Sequence, residues 1–241
     1  MDALRLIIQF MDQEIRLPIN YRHFLQGAIY RMLPEDGYGD FLHNQGYEGG
    51  KKVFKLFTFS DLLGHLKVEK ETIIFFGTCS WQIASVDEEL IDCLYKSLIS
   101  RPQVLIGNVL LTVSAVNINE LPYFSGSKEV IIRTISPVTA YRSEGKRFEY
   151  FAPGSRPFEE ICLQNLQRKA EACPQDQQPE FSIEEVLFSK KRIARFKQTF
   201  YVSYMTELKI KTNFAALNLI MNTGLSAKGS AGFGMVRLIH E

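Results

Sequence analysis

Hydrophobic and polar positions along the first half of this chain predict four strands and two helices. A period of two, which is typical of a half-buried strand, is clear over residues 52–60, and Leu4–Phe10 is apolar enough for a buried opening strand. Apolar residues recur at helical spacing after Asn20, a favourable N-cap, as far as Met32. The remaining elements are predicted as a strand at 71–79, which a short connection at 61–70 precedes, a helix at 83–99, and one bent strand or a strand pair at 104–116.

The second half repeats this order of elements. Strands are predicted at residues 130–135, 184–197, 198–211 and 233–239. Helices are predicted at residues 157–171 and, with Thr212 or Asn213 as its cap, up to Asn222. Residues 140–156 are predicted as a loop or hairpin, and residues 174–179 as a polar surface loop. Both halves have the order β-α-β-β-α-β, so the predicted fold class is α+β with tandem ferredoxin-like (RRM-like) domains. The predicted domains are residues 1–120 and 121–241, joined near residues 117–128.

Composition favours an ordinary globular protein of the cytoplasm. Apolar residues make up 46% and charged residues 23% of the 241 residues. The chain has no run of about 18 uninterrupted apolar residues, so no membrane span is predicted, and its first residues do not resemble a signal peptide. Its four cysteines form no C-x-x-C pair and no zinc-ligand spacing with histidine, so no metal site is predicted.

Charge is unevenly distributed along the chain, although the net charge is only +1. Residues 1–120 carry 11 basic and 15 acidic side chains, whereas residues 121–241 carry 17 basic and 12 acidic ones. Within residues 186–211, seven basic side chains accompany a single acid, Glu207. A local basic stripe on a nearly neutral protein is typical of a polyanion-binding site, and a solvated strand face is the alternative.

A glycine-rich segment at 224–234 lies between a helical pattern and a strand-like one. It contains four glycines, two serines and Lys228. Glycine allows positive φ and close backbone approach, so such a loop can turn N–H groups toward a phosphate, and Lys228 would add a cation. The spacing fits neither the Walker motif nor the dinucleotide-binding motif, and a helix cap at Gly224 followed by a turn is the alternative.

Three segments, in this order, carry a resemblance to a known family. They are residues 17–30 (Leu-Pro-Ile-Asn-Tyr-Arg-His-Phe-Leu-Gln-Gly-Ala-Ile-Tyr), residues 55–60 (Lys-Leu-Phe-Thr-Phe-Ser) and residues 224–238, which contain Gly-Phe-Gly-Met-Val. Together they resemble the CRISPR-associated repeat-cleaving endoribonucleases of the RAMP superfamily, over nearly the whole chain. The resemblance implies two RRM-like domains, binding of CRISPR repeat RNA and cleavage within each repeat without a metal or other cofactor. Cleavage by 2′-hydroxyl attack would leave a 2′,3′-cyclic phosphate and a 5′-hydroxyl.

The resemblance also implies a catalytic tyrosine, histidine and lysine, which correspond to Tyr30, His43 and Lys55. Histidine exchanges protons near neutral pH, tyrosine donates or orients unless a cation lowers its pKa, and lysine stabilises phosphorane charge. The segment between His43 and Lys55 is long in this chain, so Lys51 and Lys52 compete for the cationic role. Which of Tyr30 and His43 is the base and which the acid stays open.

Each of these side chains also has an ordinary structural interpretation. A tyrosine can pack on a helix, a loop histidine is usually exposed and idle, and a lysine can extend along an edge strand. Their joint occurrence in the family's order favours catalysis. Tyr38 and Tyr47 are weaker alternatives to Tyr30, and His23 is a weaker alternative to His43.

RNA binding is predicted for the basic strands and the glycine-rich segment. The residues concerned are Lys190, Lys191, Arg192, Arg195, Lys197, Gly224, Lys228, Gly229, Gly232, Phe233 and Gly234. Phe233, Tyr201 and Tyr204 are candidates for stacking on bases, although strand aromatics are more often core residues. The predicted partner is CRISPR repeat RNA, with other subunits of a CRISPR interference complex or a homodimer as further partners. The alternative function is a non-catalytic repeat-binding subunit of such a complex.

Overall fold

In a computed structural model of this protein, the same antiparallel β-α-β-β-α-β arrangement occurs twice, once in each half of the chain. The structure describes residues 4–35, 37–120, 123–145 and 147–240. The predicted α+β fold with tandem ferredoxin-like domains is confirmed. The predicted joint, residues 117–128, overlaps the end of the strand Val109–Glu120 and the start of the strand Ser127–Thr134, and residues 121–122 lie outside the described residues.

The described residues of the first half form nine strands and three helices. They are β1 (Leu4–Phe10), β2 (Glu14–Pro18), α1 (Arg22–Arg31), α2 (Tyr38–Asp40), β3 (Tyr47–Gly49), β4 (Lys52–Phe54), β5 (Phe57–Phe59), β6 (Leu63–Glu69), β7 (Thr72–Ser85), α3 (Glu88–Ser100), β8 (Gln103–Ile106) and β9 (Val109–Glu120). A π-helical turn, Phe41–Gln45, continues α2. The central strands lie in the order β9-β1-β7-β5, and β2 and β6 flank the first part of the long strand β7.

The second half has six strands and two helices among the residues described. They are β10 (Ser127–Thr134), β11 (Ala140–Glu144), β12 (Arg147–Phe151), α4 (Arg156–Ala172), β13 (Phe181–Phe196), β14 (Thr199–Asn213), α5 (Phe214–Thr223) and β15 (Val236–His240). A short 3-10 turn, Gly229–Ala231, lies between α5 and β15. The sheet order is β13-β14-β10-β15, and β11 and β12 form a separate hairpin.

The two halves have their own cores but pack directly on each other. The first core surrounds the fully buried Trp81, and the second surrounds Phe158 of α4. Leu56 and Val86 of the first half belong to the second core. Arg5 of β1 donates a hydrogen bond of 2.7 Å to the carbonyl oxygen of Val236 in β15, which also ties the halves together.

Three predictions for the first half differ from the structure. The predicted strand at 52–60 is interrupted because Leu56 has a φ of 51°, which no strand residue adopts, and residues 61–70 contain strand β6 rather than a connection. Helix α3 starts at Glu88 instead of residue 83, because Asp87 caps it: its carboxylate accepts from the N–H of Glu89 at 3.1 Å.

Two predictions about helix starts have opposite outcomes. The predicted N-cap Asn20 is wrong, since Tyr21 occupies that position without a side-chain capping bond. The predicted cap of the last helix is confirmed, because Asn213 accepts from the N–H of Ala216 at 3.0 Å. No helix among the described residues is both long and apolar enough to cross a membrane.

Candidate active site and RNA-binding surface

The candidate catalytic histidine lies on the short helical segment that follows α1. Gly37 and Gly46, both with positive φ, stand at the two ends of this segment. His43 is exposed, and its ring lies edge-on to the ring of Tyr30 with 4.8 Å between the ring centroids. The structure therefore brings together two of the three residues that the sequence singled out.

Tyr30 lies in the last turn of α1 and is half-buried. Its ring also contacts Phe57 of β5, at a centroid distance of 6.1 Å. Burial raises the pKa of Tyr30 to about 12, so the hydroxyl stays protonated at neutral pH. In this environment Tyr30 is suited to donate a proton or a hydrogen bond rather than to act as a base.

The tautomer of His43 follows from its neighbours on the same segment. Asn44 donates through its amide nitrogen to the carboxylate of Asp40, so the amide oxygen of Asn44 faces the other way. That oxygen lies 2.9 Å from Nδ1 of His43. Nδ1 must then carry the proton and donate it, which leaves Nε2 with the free lone pair of a base.

Lys55 contacts the histidine segment from the stretch between β4 and β5. Its Nζ donates to the carbonyl oxygen of His43 at 3.0 Å. Gly46 makes room for it, since a Cβ there would lie 3.1 Å from Nζ of Lys55 and 2.6 Å from the carbonyl oxygen of Phe54. Burial lowers the pKa of Lys55 from its ordinary value.

The two competing lysines lie elsewhere. Lys51 lies in the turn between β3 and β4, and Lys52 is the first residue of β4. The pKa of Lys52 is lowered by burial and by the nearby charges of Arg168 and Lys228. Among the three lysines, the geometry favours Lys55 as the cation beside His43.

A pocket of about 330 Å³ opens beside Lys55 where the two halves meet. The segment from Lys52 to Phe57 forms one wall, and α4 and the glycine-rich segment form the opposite wall. Four lysines line it: Lys52, Lys55, Lys169 and Lys228. The ammonium groups of Lys52, Lys55 and Lys228 next to the candidate catalytic residues suit a phosphate-bearing strand.

Lys169 is a member of this pocket that sequence reasoning missed. It is 4% exposed, and its Nζ donates to the carbonyl oxygens of Thr223 at 3.2 Å and Gly224 at 2.6 Å, with Ser226 farther away at 3.4 Å. Burial lowers its pKa to about 7. The sequence did indicate that Lys169 is buried, because Lys169 lies at helical spacing from Phe158 and therefore on the side of α4 that faces the core.

The glycine-rich segment is held by its own backbone rather than open to a ligand. The N–H groups that donate to carbonyl oxygens of the protein include those of Gly224, Leu225, Ala231, Gly232, Phe233 and Gly234. The prediction that Gly224, Gly232 and Gly234 hold RNA through their N–H groups is therefore wrong. Residues 226–230, which include Lys228 and Gly229, are the part that lines the pocket.

Close packing explains two of the glycines. A Cβ on Gly229 would lie 2.0 Å from the carbonyl oxygen of Thr223, and one on Gly232 would lie 2.5 Å from the ring of Phe59 in β5. Gln26 of α1 donates to the carbonyl oxygen of Ser230 at 2.7 Å. The segment therefore packs into the junction between the two halves.

The predicted stacking of bases on Phe233 and Tyr201 is wrong. Phe233 is fully buried and Tyr201 is 7% exposed, and their rings pack on each other at 5.5 Å. The guanidinium of Arg22 covers the Phe233 ring at 4.7 Å and forms a paired contact with Asp61, at 2.6 and 3.1 Å. These side chains consolidate the junction instead. Tyr204 is half-buried.

The predicted basic stripe is a hairpin with charge on both faces. Lys190, Lys191, Arg192, Arg195 and Lys197 are all exposed near the tip of β13 and β14. Successive strand residues point to opposite faces, so Arg192 and Arg195 lie on different faces. Both nevertheless line a groove of about 700 Å³ between the hairpin and the first half, together with the exposed Phe200.

The weaker alternatives have other partners. Tyr38 and Tyr47 both donate their hydroxyls to the carboxylate of Asp87. His23 packs against Phe24, and its Nδ1 lies 2.9 Å from the carbonyl oxygen of Asn20. None of these four contacts involves Tyr30, His43 or Lys55.

Comparisons with known proteins match both halves of the chain. The family description "CRISPR associated protein Cas6, C-terminal" matches residues 119–238, and "CRISPR-associated protein Cas6, N-terminal" matches residues 16–117. The CRISPR-associated endoribonuclease Cas6 of Pyrococcus furiosus is 26% identical over 249 residues, which cover 98% of this chain and 88% of the relative.

Solved structures share the fold over the whole chain. The product of a Cas6-related gene from Pyrococcus furiosus has a TM-score of 0.81 at 19% identity and covers 99% of both chains. A structure described as an RAMP protein binding different RNA substrates has a TM-score of 0.76 at 21% identity, covering 98% of this chain and 100% of the other. The tandem arrangement of two ferredoxin-like units is therefore common to these proteins.

Proposed function

Because this chain belongs to the Cas6 family of CRISPR-associated endoribonucleases, we propose that it cleaves precursor CRISPR RNA within the repeats, with Tyr30, His43 and Lys55 as its catalytic residues. One observation carries this assignment. Three separate elements converge, so that the His43 ring lies 4.8 Å from the Tyr30 ring and Lys55 donates to the His43 carbonyl oxygen at 3.0 Å.

The reaction is an attack of the 2′-hydroxyl on the adjacent phosphate. The bond between O2′ and phosphorus forms, and the bond between phosphorus and O5′ breaks. Nε2 of His43 accepts the 2′-proton, because Nδ1 is engaged with Asn44. Tyr30 supplies the proton that the departing O5′ needs, since burial keeps its hydroxyl protonated. Proton exchange with solvent then returns His43 and Tyr30 to their starting protonation states.

Lys55 stabilises the charge that develops on the phosphorane. One N–H of its ammonium group donates to the His43 carbonyl oxygen, and the other two are available to phosphate oxygens. The same bond fixes the ammonium beside the histidine, so the cation and the base approach the same phosphate. None of these steps requires a metal ion, and cleavage without a metal is part of the proposal.

The substrate strand is bound by basic side chains of both halves of the protein. Lys228 and Lys52 contact its phosphates in the pocket beside Lys55, and the exposed hairpin tip with Arg192 and Arg195 contacts a more distant part. The similar RAMP protein, described as binding different RNA substrates, supports RNA as the ligand. Association with other interference subunits or with a second copy stays a prediction.

The test is cleavage of a CRISPR repeat RNA in EDTA, with intact RNA compared with RNA that carries one 2′-deoxy substitution at the cut site. We expect the intact RNA to be cleaved and the substituted RNA to be bound but left intact. Cleavage of the deoxy RNA would contradict attack by the 2′-hydroxyl, and a requirement for a divalent ion would contradict the metal-free step. Tight binding of cognate repeat without cleavage would favour the non-catalytic subunit.

A further inference from the structure

Asp87 receives hydrogen bonds from two tyrosines that flank the histidine segment. The hydroxyl of Tyr47 donates to its Oδ2 at 2.5 Å, and the hydroxyl of Tyr38 donates to the same oxygen. Tyr38 begins the helical segment that contains His43, and Tyr47 follows it directly in β3. One carboxylate therefore binds both ends of the segment that presents His43.

Both phenols remain donors over the working pH range. Burial, followed by the hydrogen bond to Asp87, raises the pKa of Tyr38 and of Tyr47 above the ordinary value of tyrosine. Each hydroxyl therefore keeps its proton, and the carboxylate of Asp87 accepts from both. Hydrogen bonds to an ionised acceptor are roughly twice as strong as those between neutral groups.

The position of Asp87 is itself fixed by the first residues of α3. Its Oδ1 caps the helix by accepting from the N–H of Glu89, and its own N–H donates to Oγ of Ser85 at 2.9 Å. Oγ of Ser85 donates in turn to the carbonyl oxygen of Leu56 at 2.8 Å. Leu56 follows Lys55, so the corner from Ser85 to Asp87 anchors the chain next to both His43 and Lys55.

We propose that Asp87 is a positioning residue of the cleavage reaction, which holds the His43 segment in place through Tyr38 and Tyr47. This inference rests on the proposed function of His43. The other anchors of the segment are the buried side chain of Leu42 and the bond from Lys55 to the His43 carbonyl oxygen, whereas the contacts of His43 and Asp40 with Asn44 lie within the segment itself. Loss of the carboxylate would release Tyr38 and Tyr47 at the two ends and let His43 shift, and a displacement of about 1 Å can cost roughly 10²-fold in rate.

Two variants separate positioning from helix capping. Asp87→Ser keeps a favourable N-cap but removes the acceptor of both phenols. The double variant Tyr38→Phe/Tyr47→Phe removes the same two bonds from the other side and leaves the cap untouched. Asp92→Ser is the matched control, because Asp92 lies on the same helix and pairs with Lys96 on the exposed face.

The measurement is the single-turnover cleavage rate at saturating protein, together with the Kd for a 2′-deoxy repeat RNA. We expect Asp87→Ser and the double phenylalanine variant each to slow cleavage about 10- to 100-fold with unchanged Kd, and Asp92→Ser to match the parent. The triple variant, which combines Asp87→Ser with Tyr38→Phe and Tyr47→Phe, is expected to cleave no more slowly than the slower of these two variants, because all three groups act as one unit. Three results would each overturn the inference: cleavage rates equal to the parental rate, a loss of rate in the triple variant equal to the product of the two separate losses, or a loss of RNA affinity as large as the loss of rate.

Amide hydrogen exchange gives a readout that does not depend on cleavage. Residues 38–47 are expected to exchange faster in Asp87→Ser than in the parent, while the amides of β1 and β7 keep their protection. If the parent protein does not cleave repeat RNA, the proposed function fails, and exchange alone decides the structural part of the inference. Unchanged exchange in residues 38–47 would overturn it.

Discussion

The ring of His43 lies edge-on against the ring of Tyr30, with 4.8 Å between the centroids, although the two residues come from separate helical elements. The contact places a proton acceptor and a buried proton donor at one point of the surface. Their chemical roles follow from their surroundings, because Asn44 leaves Nε2 of His43 free and burial keeps Tyr30 protonated.

Tyr30→Phe is expected to slow cleavage about 10²-fold, within the range for loss of a general acid. The factor should be the same at every pH between about 6 and 9. The reason is that the pKa of Tyr30 is raised to about 12, so its hydroxyl carries a proton throughout that range and contributes equally. Single-turnover rates of parent and variant across this range check it. A factor that shrinks toward low pH would instead indicate that Tyr30 acts as the base.

The three neighbouring lysines are expected to behave differently when each is replaced by methionine. Lys55→Met removes the cation beside His43 and should lower the cleavage rate at saturating protein. Lys52→Met should mainly weaken binding, because Lys52 lies across the pocket near Lys228. Lys51→Met, in the exposed turn, serves as the matched control and should change neither quantity. An equal loss of rate in Lys51→Met and Lys55→Met would reopen the assignment of the cation.

Hydrophobic periodicity predicted the order of elements because each sheet and helix buries one face. It could not predict the break at Leu56, where φ is positive and the carbonyl oxygen accepts from the hydroxyl of Ser85, because that partner is distant in the sequence. Tyr30, His43 and Lys55 were identified from the resemblance to a family. Their convergence depends on long-range packing that spacing alone does not contain.

The glycine-rich segment shows a different limit of sequence reasoning. Its composition correctly indicated close backbone approach, but the approaching groups are Thr223 and Phe59 of the protein itself. Glycine content reports that a neighbour is near and does not identify it. Lys169 was missed for a related reason, since nothing in the sequence shows that the last carbonyl groups of α5 lie within reach of its ammonium group.

The stability of the protein is expected to depend on pH through Lys169. Its pKa is lowered to about 7 by burial, whereas an unfolded lysine keeps an ordinary value near 10.4. Between these values the unfolded chain binds more protons than the folded one, so the free energy of unfolding rises with pH. Below pH 7 the cost of burying the charge is present in full.

Lys169→Met removes this dependence. Relative to the variant, the parent should gain roughly 2 kcal/mol of unfolding free energy between pH 6.5 and 8.5, at up to about 1.4 kcal/mol per pH unit. Urea denaturation of both proteins at the two pH values measures the difference. Lys96→Met, at an exposed lysine, is the control. The same pH dependence in parent and Lys169→Met would show that this lysine is not the group responsible.

The hairpin arginines are expected to bind RNA without taking part in the chemistry. Arg192 and Arg195 are exposed near the hairpin tip and line the groove that faces the first half, on the side of the protein where Phe200 is also exposed.

Each phosphate contact on a single strand contributes about 0.7 to the slope of log affinity against log salt. Arg192→Ala and Arg195→Ala should each reduce that slope by about this amount and leave the cleavage rate at saturating protein unchanged. Lys96→Ala, which removes a lysine already paired with Asp92, should alter neither. A fall in the saturated rate would place these arginines at the reacting phosphate, and an unchanged slope would remove the hairpin from the RNA-binding surface.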